Sequence, residues 1–461
     1  MSFDLPIPDD GRRRLATGWL YLGLGSLLGS GVFSVLLVLS RTPYVQDVFP
    51  WVDFFRVALV VHVDLSVLVW FLAFGGALWS LNSTARMEQL GWAALGLAAL
   101  GTFVMASAPF TGAGGPLMSN YVPVLRDPLF LGGLSLFAAG VVLLVLRSMS
   151  AIPPVGRWIE GTAALRFGLN TAAVSAALAA MAFGWTLVAV PRFLTGEPYF
   201  ELLFWGGGHV LQFTWTLLML VAWLWLADAS GARPPVTPRV ALFLFALGLA
   251  AVFCTPVIYL AFPVTSPHHV KLFTWLMQYG GSLASLPLAL AVLIGVLRAG
   301  RAAPGTGPQR AALICSIALF GAGGLIGFAI HGSNVIIPAH YHGSIVGVTL
   351  AFMGLTYHLL PRLGLGEAPA RLAHAQPYVY GGGQLLHVLG LLWSGGYGVQ
   401  RKVAGSEQGL EHVQQVAGMG LMGLGGLVAI AGGFMFLYAV YRALRDRKGL
   451  RTERKGLGNA M

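Results

Sequence analysis

Long apolar runs alternate along the chain with short polar or Gly/Pro-rich connections. Twelve runs reach the roughly 20 residues that an α-helix needs to cross a bilayer: 16–40, 55–82, 89–109, 128–149, 165–190, 200–228, 238–263, 272–298, 310–331, 338–361, 377–398 and 412–443. Within hydrocarbon every backbone N–H and C=O must be paired inside the structure, which favours helices for such runs. The pattern predicts an all-α polytopic membrane protein with twelve transmembrane helices, forming one membrane-embedded domain over residues 1–461. Gly25 and Gly29, four apart, predict close helix packing; a phosphate cradle would need a strand before them.

Composition agrees with the pattern. The 461 residues are 56% apolar and 10% charged, where a soluble chain carries about 25% charged residues. A net charge of +11 can suggest nucleic acid, but most basic residues gather in alternate connections and at the two ends, including Arg12, Arg13, Arg14, Arg233, Arg239, Arg298, Arg301 and the run from Arg442. That is the positive-inside signature of a prokaryotic inner-membrane protein with both termini cytoplasmic, its partner being anionic lipid rather than nucleic acid. The two cysteines, Cys254 and Cys315, lie in apolar runs, so disulfide frameworks, Cys-x-x-Cys redox motifs and covalent haem attachment are excluded. The first apolar run is too long for a cleavable signal peptide and has no small-residue cleavage site.

Histidine placement adds chemistry. With that orientation, His62 lies early in the second run, His209 in the outer half of the sixth, His268 and His269 after the seventh, and His340 and His342 at the start of the tenth. Six imidazoles from four elements thus share the outer third of the membrane. Ionisable groups within spans are functional candidates, and imidazole is the commonest ligand for zinc, copper and haem iron. On one helix His340 and His342 point roughly 200° apart, so they suit two different cofactors on opposite sides. The adjacent His268-His269 pair, following Pro267, suits one ion shared with a third histidine.

These motifs, "VVHVDLSVLVWFLAFGG", "FWGGGHVLQF", "SPHH" and "HGSNVIIPAHYH", resemble the catalytic subunit of the haem–copper oxidase superfamily over nearly the whole chain. The resemblance implies His62 and His342 as the axial pair of a low-spin haem and His340 as the ligand of a high-spin haem. His209, His268 and His269 would hold a copper ion, with non-haem iron as the alternative metal. Electrons would pass from low-spin to high-spin haem and then to a small gas, O2 or NO, bound between iron and the second metal. The resemblance further marks His331, Asn334, Arg401 and Lys402 as haem propionate partners. His358, His374, His387 and His412 read as structural.

The chain also departs from that family. Phe213 stands four residues after His209, where most oxygen reductases carry a tyrosine and typical nitric-oxide reductases a glutamate. Tyr259 on the seventh run is the candidate redox and proton donor in its place. Glu201, two turns before His209, is a poor ligand. Leu211 occupies the position of a carboxylate used by proton-pumping relatives, leaving a candidate proton path of Thr255, Tyr259, Gln278, Ser282 and Ser285. With no binuclear copper motif and no covalent haem site, the chain is expected to need an electron-donating subunit carrying cytochrome c or a copper centre. The expected activity is reduction of dioxygen to water, with reduction of nitric oxide to nitrous oxide as the alternative.

Overall fold

The computed structural model describes residues 2–45, 54–112, 114–156 and 158–458. Its helices run in chain order as α1 (Gly11–Leu39), α2 (Phe55–Leu81), α3 (Glu88–Ser107), α4 (Pro128–Ser150), α5 (Gly161–Ala189) and α6 (Gly196–Ala229). The second half comprises α7 (Pro238–Ala261), α8 (Pro267–Ala299), α9 (Gly307–Gly327), α10 (Ile336–Arg362), α11 (Ala370–Gly396) and α12 (Val413–Gly458). Among the described residues, eleven of these helices are long and apolar enough to cross a membrane. The exception is α11, whose Arg371, His374, Gln376, Gln384 and His387 dilute its apolar character. A small antiparallel hairpin, β1 (Pro116–Leu117) and β2 (Val124–Leu125), folds within the α3–α4 connection.

Helix starts follow local chemistry. Proline opens α4, α7 and α8, where a first-turn N–H would have no helical partner anyway. Asp127 accepts from Leu129 N and Phe130 N, Thr237 from Val240 N and Ser266 from His268 N, so a side chain pairs a free first-turn donor each time. Among the described residues two helices carry a π-helical stretch, Asp64–Val69 in α2, two residues after His62, and Leu276–Gly280 in α8. Such bulges recur at functional sites because they redirect the following side chains.

The chain clusters into two compact units. One comprises Met1–Phe33, Arg56–Leu224 and Pro234–Ile294, the other Ser34–Phe55, Trp225–Arg233 and Gly295–Met461. In the first, Trp19, Trp70 and Trp79 are fully buried, and Trp79 Nε1 donates to Leu169 O at 3.0 Å. There α3 and α4 touch backbone to backbone: a Cβ on Gly140 would stand 2.6 Å from Ala98 N. Gly29 receives the Leu65 side chain, whereas a Cβ on Gly25 would meet open space, so the expected pair packs at only one of its glycines.

In the second unit α11 and α12 are zipped by glycines seven residues apart, Gly383 and Gly390 against Gly425 and Gly418, with Gly432 against the Tyr380 backbone. Without side chains there, backbones approach directly, the usual way helices associate where burial in lipid supplies little drive. Arg310 is buried and ties two connections together: its Nη2 donates to Ser230 O at 2.8 Å and its Nη1 to Gly300 O at 3.1 Å.

Candidate metal and haem site

In the first unit, α6 presents His209 with 3% exposure, and its Nδ1 lies 2.7 Å from the Trp205 carbonyl one turn earlier. A carbonyl only accepts, so Nδ1 carries the proton and Nε2 the lone pair. His269 repeats the arrangement, Nδ1 facing the Phe262 carbonyl at 3.3 Å. Both rings pack against Phe273, at centroid distances of 6.0 Å for His209 and 5.0 Å for His269. The histidine pair lies not in a loop but in the first turn of α8, where neighbours diverge by roughly 100°. His268 accordingly is exposed and stacks on Phe262 at 5.4 Å. His209 and His269 are brought together while His268 stands apart. Among the described residues, no three His, Cys, Asp or Glu side chains converge closely enough to hold a metal.

The three glycines before His209 receive side chains. A Cβ on Gly206 would overlap the Tyr259 hydroxyl, on Gly207 the Phe183 ring and on Gly208 the Tyr121 ring. Tyr259 meets His269 edge-on at 4.8 Å, and its hydroxyl bonds Thr186 Oγ1 at 2.6 Å and donates to Ala182 O at 3.1 Å. Tyr121, which sequence reasoning did not single out, places its hydroxyl 2.8 Å from His209 Nε2. Glu201 receives Asn120 N at 2.9 Å and the Asn120 side-chain amide. His62 on α2 is half-buried, its Nδ1 facing the Ser30 carbonyl at 3.0 Å.

In the second unit, His340 and His342 are both half-buried on α10, and His340 Nδ1 faces Gly323 O at 2.7 Å. His342 meets His387 of α11 at 4.8 Å between ring centroids, and His387 Nδ1 faces the Met422 carbonyl at 3.0 Å. His387, expected to be structural, is thus a neighbour of a candidate ligand. Just before α10 the chain pairs with the segment after α11, through an Asn334–Gln400 bridge and Val335 N donating to Val399 O at 3.0 Å. This pairing gathers Asn334, Arg401 and Lys402 near the exposed His331, and Arg401 Nε donates to Ser333 Oγ at 3.2 Å. Lys402 holds φ at +64°, a conformation costly for a non-glycine residue. Arg41 joins them, its Nη2 donating to Gln400 O at 3.4 Å while its buried Nε has no partner. Nothing in the sequence marked Arg41, because the pairing that enlists it joins residues 359 apart.

The proton-path candidates do not form a chain of hydrogen bonds. Gln278 and Ser282 are exposed, Ser282 and Ser285 donate to their own helix at Tyr279 O and Gly281 O, and the buried Thr255 Oγ1 has no partner.

Imidazole is a donor type that haem iron and copper take, and the structure brings two of the expected second-metal imidazoles, His209 and His269, onto Phe273 while leaving His268 apart. His62, His209, His269 and His340 each face a backbone carbonyl with Nδ1, which leaves the lone pair on Nε2, an arrangement that also orients metal-binding imidazoles. His331 and His387 do the same, so the bond prepares a ligand without identifying one.

A sequence profile described as cytochrome c and quinol oxidase polypeptide I matches residues 14–429. The chain belongs to that family. It is therefore an integral membrane oxidoreductase of the haem–copper oxidase superfamily, whose members bind haems and a copper or iron centre. It is 28% identical to an uncharacterized protein of Rickettsia prowazekii (strain Madrid E), covering 95% of this chain and 98% of that one. It is 30% identical to an uncharacterized protein of Aquifex aeolicus (strain VF5), covering 78% of this chain and 88% of that one. A haem–copper terminal oxidase dimer solved by cryo-electron microscopy shares the fold, with a TM-score of 0.69 and 18% identity over 95% of this chain and 84% of that one.

Proposed function

We propose that this subunit I-type chain is the catalytic subunit of a respiratory terminal oxidase that reduces dioxygen to water, using four electrons and four protons. The observation that carries the choice is that the side chain brought beside His209 is a second imidazole, His269, and not a carboxylate. Copper suits an all-imidazole set, whereas non-haem iron usually recruits a carboxylate as well. Glu201, the carboxylate of α6 nearest His209 in sequence, is engaged by Asn120 instead. In this reading His62 and His342 are the axial pair of a low-spin haem, and His340 ligates a high-spin haem. His209, His268 and His269 hold copper, which requires His268 to turn off Phe262. The haems and copper supply electron storage and gas binding. Arg401, Lys402, Asn334 and His331 neutralise and hydrogen-bond haem carboxylates, with Arg41 beside them. Tyr259, whose ring meets His269 edge-on, is the redox tyrosine, and its hydroxyl leads to Thr186.

The single domain spans the chain in a prokaryotic inner membrane, both termini cytoplasmic and the metal ligands toward the outer face. An electron-donating subunit with cytochrome c or a copper centre completes the enzyme. Phe213 favours a second reading, reduction of nitric oxide to nitrous oxide, because the span-six tyrosine of most oxygen reductases is missing. The test is anaerobic addition of O2 or NO to the reduced, purified enzyme with metal analysis. Water formation with copper present supports the proposal; nitrous oxide with negligible oxygen turnover selects the second reading.

A further inference from the structure

One turn of α5 grips Tyr259. Ala182, Trp185 and Thr186 stand at i, i+3 and i+4, on one face of the helix. The Tyr259 hydroxyl donates to Ala182 O at 3.1 Å and meets Thr186 Oγ1 at 2.6 Å, and Thr186 Oγ1 donates to the same carbonyl at 2.9 Å. The indole of Trp185 lies against the phenol ring itself, 5.2 Å between centroids and tilted by 34°. That is the spacing of a packed aromatic pair.

The two rings differ in their surroundings. Tyr259 is 6% exposed and Thr186 1%. Trp185 is half-buried, next to the exposed Leu187 and Val188. The indole therefore joins a buried phenol to the molecular surface. Phenol and indole lose one electron at similar cost, so an indole in contact with an oxidised phenol is a donor to it. Phe273, which packs on Tyr259 at 5.6 Å, cannot serve, because a benzene ring is far harder to oxidise.

We propose that Trp185 returns an electron to Tyr259 when the phenol is left oxidised, draining the oxidising equivalent to the surface before it damages His269, whose ring packs on the same phenol. The inference rests on reading Tyr259 as the redox tyrosine of a dioxygen-reducing enzyme. Dioxygen is the oxidant: Tyr259 gives one electron and its hydroxyl proton to the reduction and is left a neutral phenoxyl. In the return step the indole gives one electron and the phenoxyl oxygen takes up one proton, restoring the phenol. The indole N–H proton lost to solvent balances that uptake. A thiol in the medium then supplies one electron and one proton to the indole. Trp185 acts only through Tyr259.

The experiment uses the full enzyme carrying ring-deuterated tryptophan, reduced, mixed with dioxygen and frozen at intervals for electron paramagnetic resonance. The parent is expected to show a radical signal that narrows on tryptophan deuteration. Trp185→Phe keeps a ring against Tyr259. It is expected to lose that component and to hold a tyrosyl signal instead, which Tyr259→Phe lacks. Its initial oxygen consumption is expected to equal the parent's but to decline after fewer turnovers, and the oxidisable Trp185→Tyr is expected to restore the parent's lifetime. A ring that only packs, or only anchors the helix at the membrane interface, predicts equal lifetimes for the Phe and Tyr variants, and that result overturns the relay. A deuterium-sensitive signal that survives in Trp185→Phe belongs to another of the 13 tryptophans and overturns it too. A parent that consumes no oxygen instead overturns the terminal-oxidase reading, an outcome distinct from oxygen turnover that ignores Trp185.

Discussion

Asp64 stands two residues after His62, is 1% exposed, and neither of its carboxylate oxygens has a hydrogen-bond partner. An unpaired polar group in an interior costs about 1–3 kcal/mol, so Asp64→Leu is expected to raise the unfolding free energy by about that amount. Thermal denaturation of the detergent-solubilised protein measures it; a lowered midpoint would mean that the carboxylate has a stabilising partner. Thr255 poses the same question, with its buried Oγ1 also unpaired. Thr255→Val keeps the shape and removes the hydroxyl. The expected outcome is slower turnover at unchanged haem content and undiminished stability, as for a group that passes protons rather than supporting the fold. Turnover equal to the parent's would remove Thr255 from the path. At this scale the sequence was informative where chemistry shows in the residue type, as with His209 and His269, which the structure brings together against Phe273. It was silent on Tyr121, because nothing local reveals that this tyrosine meets an imidazole 88 positions away.

Element by element, hydropathy located the helices well, because a span must be both apolar and long. It misjudged character where packing replaced hydrophobicity. The α11 helix carries Arg371, His374, Gln376, Gln384 and His387 yet fits closely against α12, since Gly390 and Gly425 bring backbone onto backbone. The π-helical stretches in α2 and α8 left no mark in the apolar pattern, and neither did the extension of α8 back to Pro267, which sets His268 and His269 on diverging faces. A paired substitution tests the glycine seam. A Cβ on Gly390 would overlap the Met422 backbone, whereas one on Gly382, also in α11, would meet nothing. Gly390→Ala is expected to cost at least the roughly 1–3 kcal/mol of overpacking and to lower the yield of folded protein. Gly382→Ala is expected to be neutral or stabilising by about 0.5–1 kcal/mol, because glycine loses more freedom on entering a helix. Size-exclusion yield and melting temperature of the two variants give the comparison; equal behaviour would mean that α11 and α12 do not meet along this seam.

At the scale of the whole molecule, orientation decides what the site can do. In the proposed orientation, with both termini cytoplasmic, the connections 230–237 and 300–306, carrying Arg233 and Arg301, would lie inside, together with the run from Arg442. The connections carrying Tyr121, His331 and Arg401 would then lie outside, on the side where the proposed electron-donating subunit would dock. Each arginine at a membrane end favours the side that retains positive charge, and the bias is summed over many short connections, so no single substitution should reverse it. Alkaline phosphatase, active only outside the cytoplasm, is expected to be active when inserted in the α3–α4 or α11–α12 connection. It is expected to be silent in the α6–α7 and α8–α9 connections. The inverted pattern would place His340, His342 and the basic pairing beside them on the cytoplasmic side. Electrons would then have to arrive from a cytoplasmic donor, and a docking subunit facing outward would be ruled out.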